Sequence, residues 1–264
     1  MRKIAFFDLD GTLSSEIDHT IPQSTIDSIH KARANGNLMF INTGRCFENV
    51  EPQFRDIGWD GYICGCGTHI ICDGKDLLYK TLTRDVIDQI AEASRKCNLD
   101  IRFESKDCIC YDLPDKLRHP MAKKSYAWHA KEKHTMPKDI YAPSFTADKF
   151  GVWLTEASDL EEFLKISDKY FDCIDRYPSF KEFVPHGFSK ATGIQVILDY
   201  YDIPQENTYA FGDSNNDLPM LTFVANSIAM GNSNPTSLFE KVTYRTGNAS
   251  ANGIHDALAH FGFI

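Results

Sequence analysis

The chain has 264 residues, 42% of them hydrophobic, 12% aromatic and 25% charged, enough apolar material for one large or two smaller cores and too much for a disordered segment. With 28 Lys+Arg against 37 Asp+Glu its net charge is −9, which argues against a general binder of nucleic acid or anionic membrane, since both call for a net basic face. Its apolar runs fall short of the roughly 18 residues of a membrane span, and Asp8 interrupts the first run too early for a secretory signal, so a cytoplasmic location is expected.

Ile4 to Leu9 is a nearly continuous apolar run ending in Asp-Leu-Asp-Gly-Thr, the pattern of a strand buried on both faces and followed by a loop. Residues 22–35 begin with Pro, place Ile26, Ile29 and Ala32 at helical spacing and stop at Asn35-Gly36, so they read as a helix. Leu38–Ile41 is a second strand, 47–56 a helix and Tyr62–Cys64 a third strand. That β-α-β-α-β order predicts a doubly wound, mainly parallel α/β sheet with its loops gathered at the strand C-termini. Past residue 82 the pattern changes to a helix at 84–97, strand-like segments at 100–104, 108–113, 150–155, 173–177 and 180–184, and a helix at 158–170. These suggest an inserted α+β unit on an antiparallel sheet. From Ser189 the α/β rhythm resumes, with helices at 190–200, 216–222, near 235–240 and 253–260 and strands at 208–212, 227–230 and 242–244. Two domains are expected, 1–82 with 188–264 and an insertion over 83–187. The eight cysteines include two C-x-C pairs and no C-x-x-C, which favours reduced structural thiols over a zinc site.

Four pieces lie after a predicted strand of the α/β part or at a helix start beside it. Asp8 and Asp10 sit two apart in Asp8-Leu9-Asp10-Gly11-Thr12. Thr43-Gly44-Arg45 offers a hydroxyl and a free backbone N–H for a phosphate oxygen. Lys190 opens a helix, the wrong end for a cation unless an anion is to be neutralised there. Gly212-Asp213-Ser214-Asn215-Asn216-Asp217 adds two carboxylates and amides. Each alone has an ordinary structural reading, as a turn, a surface lysine or a helix start. Together, four acids at one sheet edge repel unless a cation sits among them, and an all-oxygen donor set points to Mg²⁺ over zinc.

These segments occur in the order and approximate spacing of the four motifs of the haloacid dehalogenase (HAD) superfamily, and the chain resembles its Cof-type phosphatases along essentially its whole length. The resemblance implies a Rossmann-like core, with the insertion at the place of a C2-type cap. It implies Asp8 as the nucleophile that forms an aspartyl-phosphate and Asp10 as the acid that protonates the leaving group and then activates water. It also implies Mg²⁺ held by Asp8, the main-chain carbonyl of Asp10, and Asp213, with Asp217 supporting directly or through water. Thr43, Gly44, Lys190 and Asn216 would bind the phosphate. An acid at position 10 favours phosphoryl transfer over dehalogenation. Where such proteins commonly carry Asn-Gly-Ala after the third strand, this chain has Cys66-Gly67-Thr68, so Cys66 and Gly67, like Arg45, are candidate substrate contacts. Ala229-Met230-Gly231-Asn232 also resembles a Cof-type segment.

The expected activity is Mg²⁺-dependent hydrolysis of phosphomonoesters of small metabolites such as sugar phosphates, FMN or pyridoxal phosphate, in a cleft between core and cap. A phosphotransferase or phosphomutase, and a non-catalytic regulator binding a phosphorylated ligand, stay open as alternatives. The expected partner is that small metabolite, with no nucleic acid and no membrane, in a monomer or homodimer. The one basic block, 116–138, has seven Lys+Arg together with His119, His129 and His134. It reads as a solvated helical face, or as a surface for an anionic substrate tail or another partner. Phe145, Phe150, Trp153, Phe163, Phe171, Phe180 and Phe183 read as core of the insertion.

Overall fold

The structure, a computed structural model, describes residues 2–132 and 139–264. The chain divides into two compact units, one made of the residues up to Arg45 with Val50–Leu77 and Ser189–Ile264, the other of Cys46–Asn49 and Leu78–Phe188. In chain order the elements before the second unit are β1 (Ile4–Phe7), α1 (Gln23–Ala34), β2 (Leu38–Asn42), α2 (Pro52–Arg55), β3 (Gly61–Cys64), β4 (His69–Cys72) and β5 (Lys75–Tyr79). The second unit supplies α3 (Arg84–Lys96), β6 (Asp100–Glu104), β7 (Ile109–Tyr111), α4 (Pro120–Glu132), β8 (Lys149–Trp153), α5 (Leu160–Ser167), β9 (Phe171–Tyr177) and β10 (Phe180–Pro185). The first unit then resumes with α6 (Lys190–Tyr201), β11 (Thr208–Ser214), α7 (Leu218–Phe223), β12 (Asn226–Asn234), β13 (Tyr244–Arg245) and α8 (Gly253–His260).

The first unit is built on one sheet in the order β13-β12-β11-β1-β2-β3-β4-β5. Pairings from β13 through β3 are parallel, with β1 between β11 and β2, and β3–β4 is antiparallel. The central strands are buried along their whole length, as β1 and β2 show, which is why they read as unbroken apolar runs. Between strands, α1 packs with α8 and α6 with α7. Helix α6 starts in a capping box, Ser189 accepting from the Thr192 N–H while the Thr192 hydroxyl serves the Ser189 N–H. A Cβ on Gly193 would stand 2.5 Å from Ile63 Cγ2, so its absence lets α6 approach β3 closely enough to place Lys190.

Several local expectations are corrected. The helix expected over 47–56 is a 3₁₀ turn at Phe47–Asn49 and the short α2, because Pro52 has no N–H to continue a helix from the preceding turn and serves as a helix start. The β4–β5 hairpin was not expected; it turns at Asp73-Gly74, both at positive φ, a common two-residue hairpin turn. The segments expected as helices at 216–222 and near 235–240 are a 3₁₀ turn leading into α7 and a 3₁₀ turn at Thr236–Lys241.

The second unit is an antiparallel sheet, β7-β6-β8-β10-β9. One core cluster joins Ile87 and Ile90 of α3 and Phe163 of α5 to Phe103, Phe150, Phe171 and Phe183 of the strands, with Phe150 and Phe183 stacked at 4.7 Å. Phe145 belongs to it, whereas Trp153 and Phe180 pack in a second cluster with Tyr111 and Ala122. Of the basic block, Lys133, His134 and Lys138 lie outside the described residues. His129 departs from a solvated face: it is buried, with Nδ1 2.7 Å from the Ser125 carbonyl and 3.1 Å from Tyr111 Oη. All eight cysteines are free thiols, and only Cys173 is exposed.

Candidate active site

Parallel strands direct their following loops to one end of the sheet, and adjacent β1 and β11 bring theirs together. Asp8 follows β1 and its N–H donates to the Phe211 carbonyl of β11 (3.1 Å), which sets its side chain beside that of Asp213. Gly11 makes this approach possible: its φ is +80° and a Cβ there would stand 2.6 Å from Asp213 Oδ2. Thr12 Oγ1 then donates to Asp213 Oδ1 (2.9 Å).

The buried Lys190 ammonium donates to Asp8 Oδ1 (2.5 Å) and Asp217 Oδ1 (2.6 Å). The other Asp217 oxygen accepts the N–H groups of Asp213 (3.0 Å) and Ser214 (3.1 Å), closing the 213–217 loop on itself. Asp8, Asp213 and Asp217 each offer an oxygen within 4.8 Å of the others. Three carboxylates against one ammonium leave an excess of negative charge. Burial and the neighbouring acids push the Asp8 carboxyl up to about 6, with Lys190 opposing, and push Asp213 up to about 8. Burial works to lower the Lys190 ammonium, but Asp217 and Asp8 outweigh it and hold it above the usual range. Crowded, partly proton-holding and purely oxygen-donating, this cluster fits a hard divalent cation.

Asp10 stands apart from that cluster. Its half-exposed carboxylate is gripped by Arg45, Nη2 to Oδ1 at 2.5 Å and Nε to Oδ2 at 3.0 Å, while Arg45 Nη1 reaches Glu51 (3.2 Å) and the guanidinium lies over Phe54. Thr43 is buried; its Oγ1 accepts the Arg45 N–H (3.1 Å) and its own N–H goes to Ile63 of β3. Gly44 is buried in the turn between them. Asn216 is partly buried and accepts from Ser214 Oγ. Cys66 is buried at left-handed φ 58° between two positive-φ glycines, Gly65 and Gly67, and its N–H donates to Thr43 O (3.1 Å). The 65–67 loop thus braces the Thr43–Arg45 turn.

Three residues support the site in roles that the sequence alone does not give, Asn42 unmarked and Thr12 and Asn232 present only inside their segments. Asn42 donates to the Lys190 carbonyl (3.0 Å), fixing the start of α6. Asn232 donates to the Gly11 carbonyl (2.7 Å) and accepts from the Ala249 N–H (2.9 Å), tying the loop after Asp10 to the C-terminal segment. Thr12 was visible only as part of its motif. Each acts across more than a hundred residues or more of chain, or through a partner that no local pattern names.

The architecture recurs in known proteins. The haloacid dehalogenase-like hydrolase family model matches residues 5–258, and the chain belongs to that family. It is an enzyme, a hydrolase of the HAD phosphatase type. Among its relatives is the 5-amino-6-(5-phospho-D-ribitylamino)uracil phosphatase YitU of Bacillus subtilis, 27% identical over 96% of this chain and 94% of that protein. An HMP-PP phosphatase of Yersinia enterocolitica is 26% identical, over 89% of this chain and 86% of its own. A solved HAD subclass IIB sugar phosphatase superposes with a TM-score of 0.81 at 28% identity, covering 99% of this chain and all of that one.

Proposed function

We propose that the protein is a Mg²⁺-dependent phosphatase that cleaves phosphomonoesters of small metabolites through an aspartyl-phosphate on Asp8. The observation that carries this reading is the meeting of Asp8, Asp213, Asp217 and Lys190 beside adjacent strand ends, a nucleophile, a metal-compatible acid cluster and a buried cation in one place. Asp8, Asp213 and the main-chain carbonyl of Asp10 would hold the cation, with Asp217 in support directly or through water. When bound, Mg²⁺ supplies charge that offsets the repulsion between carboxylate and phosphate dianion.

In this reading an Asp8 carboxylate oxygen attacks phosphorus as the bond to the ester oxygen breaks, and Asp10 delivers a proton to that leaving oxygen. Asp10 then takes a proton from the water that attacks phosphorus, the bond to Asp8 breaks, and inorganic phosphate leaves. Lys190, Thr43, Asn216 and the N–H groups of Leu9, Asp10 and Gly44 hold the phosphoryl oxygens as charge redistributes. Arg45 donates to both Asp10 oxygens, so one of the two contacts must open before Asp10 carries a proton to the leaving oxygen, and the other then keeps the carboxyl oriented.

Residues 83–187 are proposed as the cap that selects the leaving group, with Arg45, Cys66 and Gly67 as candidate contacts from the core. Relatives named for a ribityl phosphate, for HMP-PP and for sugar phosphates support a small phosphorylated metabolite as substrate; a sugar phosphate, FMN or pyridoxal phosphate is the proposed range. Among the described residues no helix is long and apolar enough to cross a membrane. A cytoplasmic location is part of the proposal, and eight free thiols suit a reducing compartment. A panel of phosphorylated metabolites assayed with Mg²⁺, with EDTA and with Asp8→Asn tests the reading: turnover should vanish in both controls, and turnover unchanged in either refutes it. Product analysis in labelled water separates hydrolysis from transfer to a second hydroxyl.

A further inference from the structure

The second unit contains a cavity of about 340 Å³ lined by its own residues alone. Leu99, Ile101 and Leu113 give it apolar wall, and Arg95, Lys116 and Arg118 give it three cations against the two carboxylates of Asp100 and Asp112. Both acids are committed to the protein. Asp100 is buried; Oδ2 accepts the N–H groups of Arg118 (2.7 Å) and His119 (2.6 Å), and Oδ1 accepts from Arg118 Nε (3.3 Å). Asp112, also buried, accepts from Arg95 Nε at 2.6 Å.

Each arginine is thereby held from its Nε side. Arg95 is steadied further by the Tyr141 ring, 5.3 Å from its guanidinium, and Arg118 by donation from Nη1 to Asn98 Oδ1 (2.8 Å). Among the described residues, the Nη groups of Arg95, Nη2 of Arg118 and the Lys116 ammonium make no hydrogen bond. A guanidinium fixed in this way presents its remaining N–H groups with little ordering cost on binding, and paired planar donors suit a tetrahedral oxyanion. A partly apolar cavity with few convergent polar groups is the usual form of a small-molecule site.

We propose that this cavity binds a small phosphorylated compound with a partly apolar body, its phosphoryl oxygens taken by Arg95, Arg118 and Lys116 and its body by Leu99, Ile101 and Leu113. The site shares no residue with the Asp8 centre, and the proposal stands independently of the reaction assigned there.

The test is an NMR titration of the full chain in Mg²⁺ buffer, following the Arg95 and Arg118 Nε–H signals and the Ile101 methyl, with phenylphosphonate as a non-hydrolysable probe and phenol as its neutral counterpart. Saturable shifts of these three signals with phenylphosphonate, and none with phenol, are expected. Arg95→Gln/Arg118→Gln should weaken the binding by about tenfold or more, the scale of losing a charge-assisted hydrogen bond, while hydrolysis of p-nitrophenyl phosphate is unchanged. Should that variant not fold, Lys116→Gln, at an exposed position, should still weaken the saturation measured at Ile101. Absence of saturable shifts at Arg95 and Arg118, equal shifts with phenol, or undiminished affinity in the folded variants overturns the proposal.

Discussion

Replacing Lys190 with Met keeps a chain of similar length and removes the one ammonium that links Asp8 and Asp217. At 2.5 and 2.6 Å, with the side chain buried, each contact is worth about 6 kcal/mol of Coulomb attraction at an effective dielectric near 20. The loss of stability is smaller than that sum, because a bared carboxyl takes up a proton instead of staying charged. With Lys190 in place Asp8 already stands at about 6, so protonating it at pH 7, at about 1.4 kcal/mol per unit, costs about 1.4 kcal/mol, and at pH 5 nothing further. Through Asp8 the metal-free variant should therefore melt about 3–6 °C below the parent at pH 7, with the gap closing by pH 5, using roughly 2–4 °C per kcal/mol for a chain of this size. Mg²⁺ should narrow the gap at pH 7. Scanning calorimetry in EDTA at the two pH values reads this directly, and kcat should fall by about 10²–10³ with the loss of a phosphoryl-oxygen ligand. A variant that melts within about 1 °C of the parent at pH 7, or with the same deficit at both pH values, would refute the buried bridge.

Arg45→Ala releases Asp10 from its two-point grip, so kcat should fall by roughly an order of magnitude with KM changed less; an unchanged kcat removes Arg45 from the positioning role. Gly11→Ala forces a Cβ to within 2.6 Å of Asp213 Oδ2 at φ +80°, and the Mg²⁺ concentration for half-maximal activity should rise by about tenfold or more, which a metal titration of the rate checks. Glu104 in the second unit is buried, with Arg102 and Lys149 holding its carboxyl down to about 2 against the cost of burial. Its folded value lies below the ordinary 4.5, so its contribution is complete above that pH and is lost as pH falls toward 2. Glu104→Gln should thus cost about 3–5 kcal/mol in denaturant unfolding at pH 7 and much less near pH 3; equal costs at both would show that the charge is not what matters.

The architecture of the first unit was readable because a parallel strand buried on both faces must be apolar throughout, as Ile4–Phe7 and Leu38–Ile41 are, and because chemistry-bearing loops follow such strands. Asp73-Gly74 is a hairpin signal, but its second strand, Lys75–Tyr79, is a largely exposed edge strand that opens on Lys75-Asp76 and has only the short apolar run Leu77–Tyr79. Motif spacing could bring Asp8, Lys190, Asp213 and Asp217 to one rim. It could not show that Asp217 spends one oxygen on Lys190 and the other on two N–H groups, or that Arg45 grips Asp10. Lys149, buried between Glu104 and Glu182, was beyond sequence pattern altogether: a lysine reads as surface until its partners on other strands are known.

The central claim is that the phosphoryl group passes through Asp8. Rapid acid quench during turnover of a ³²P-labelled substrate, followed by peptide mapping, tests it most directly. The account expects label on the peptide containing Asp8, released by hydroxylamine, and lost in EDTA and in Asp8→Asn. Full turnover with no label on that peptide, or with label on another residue, would contradict it.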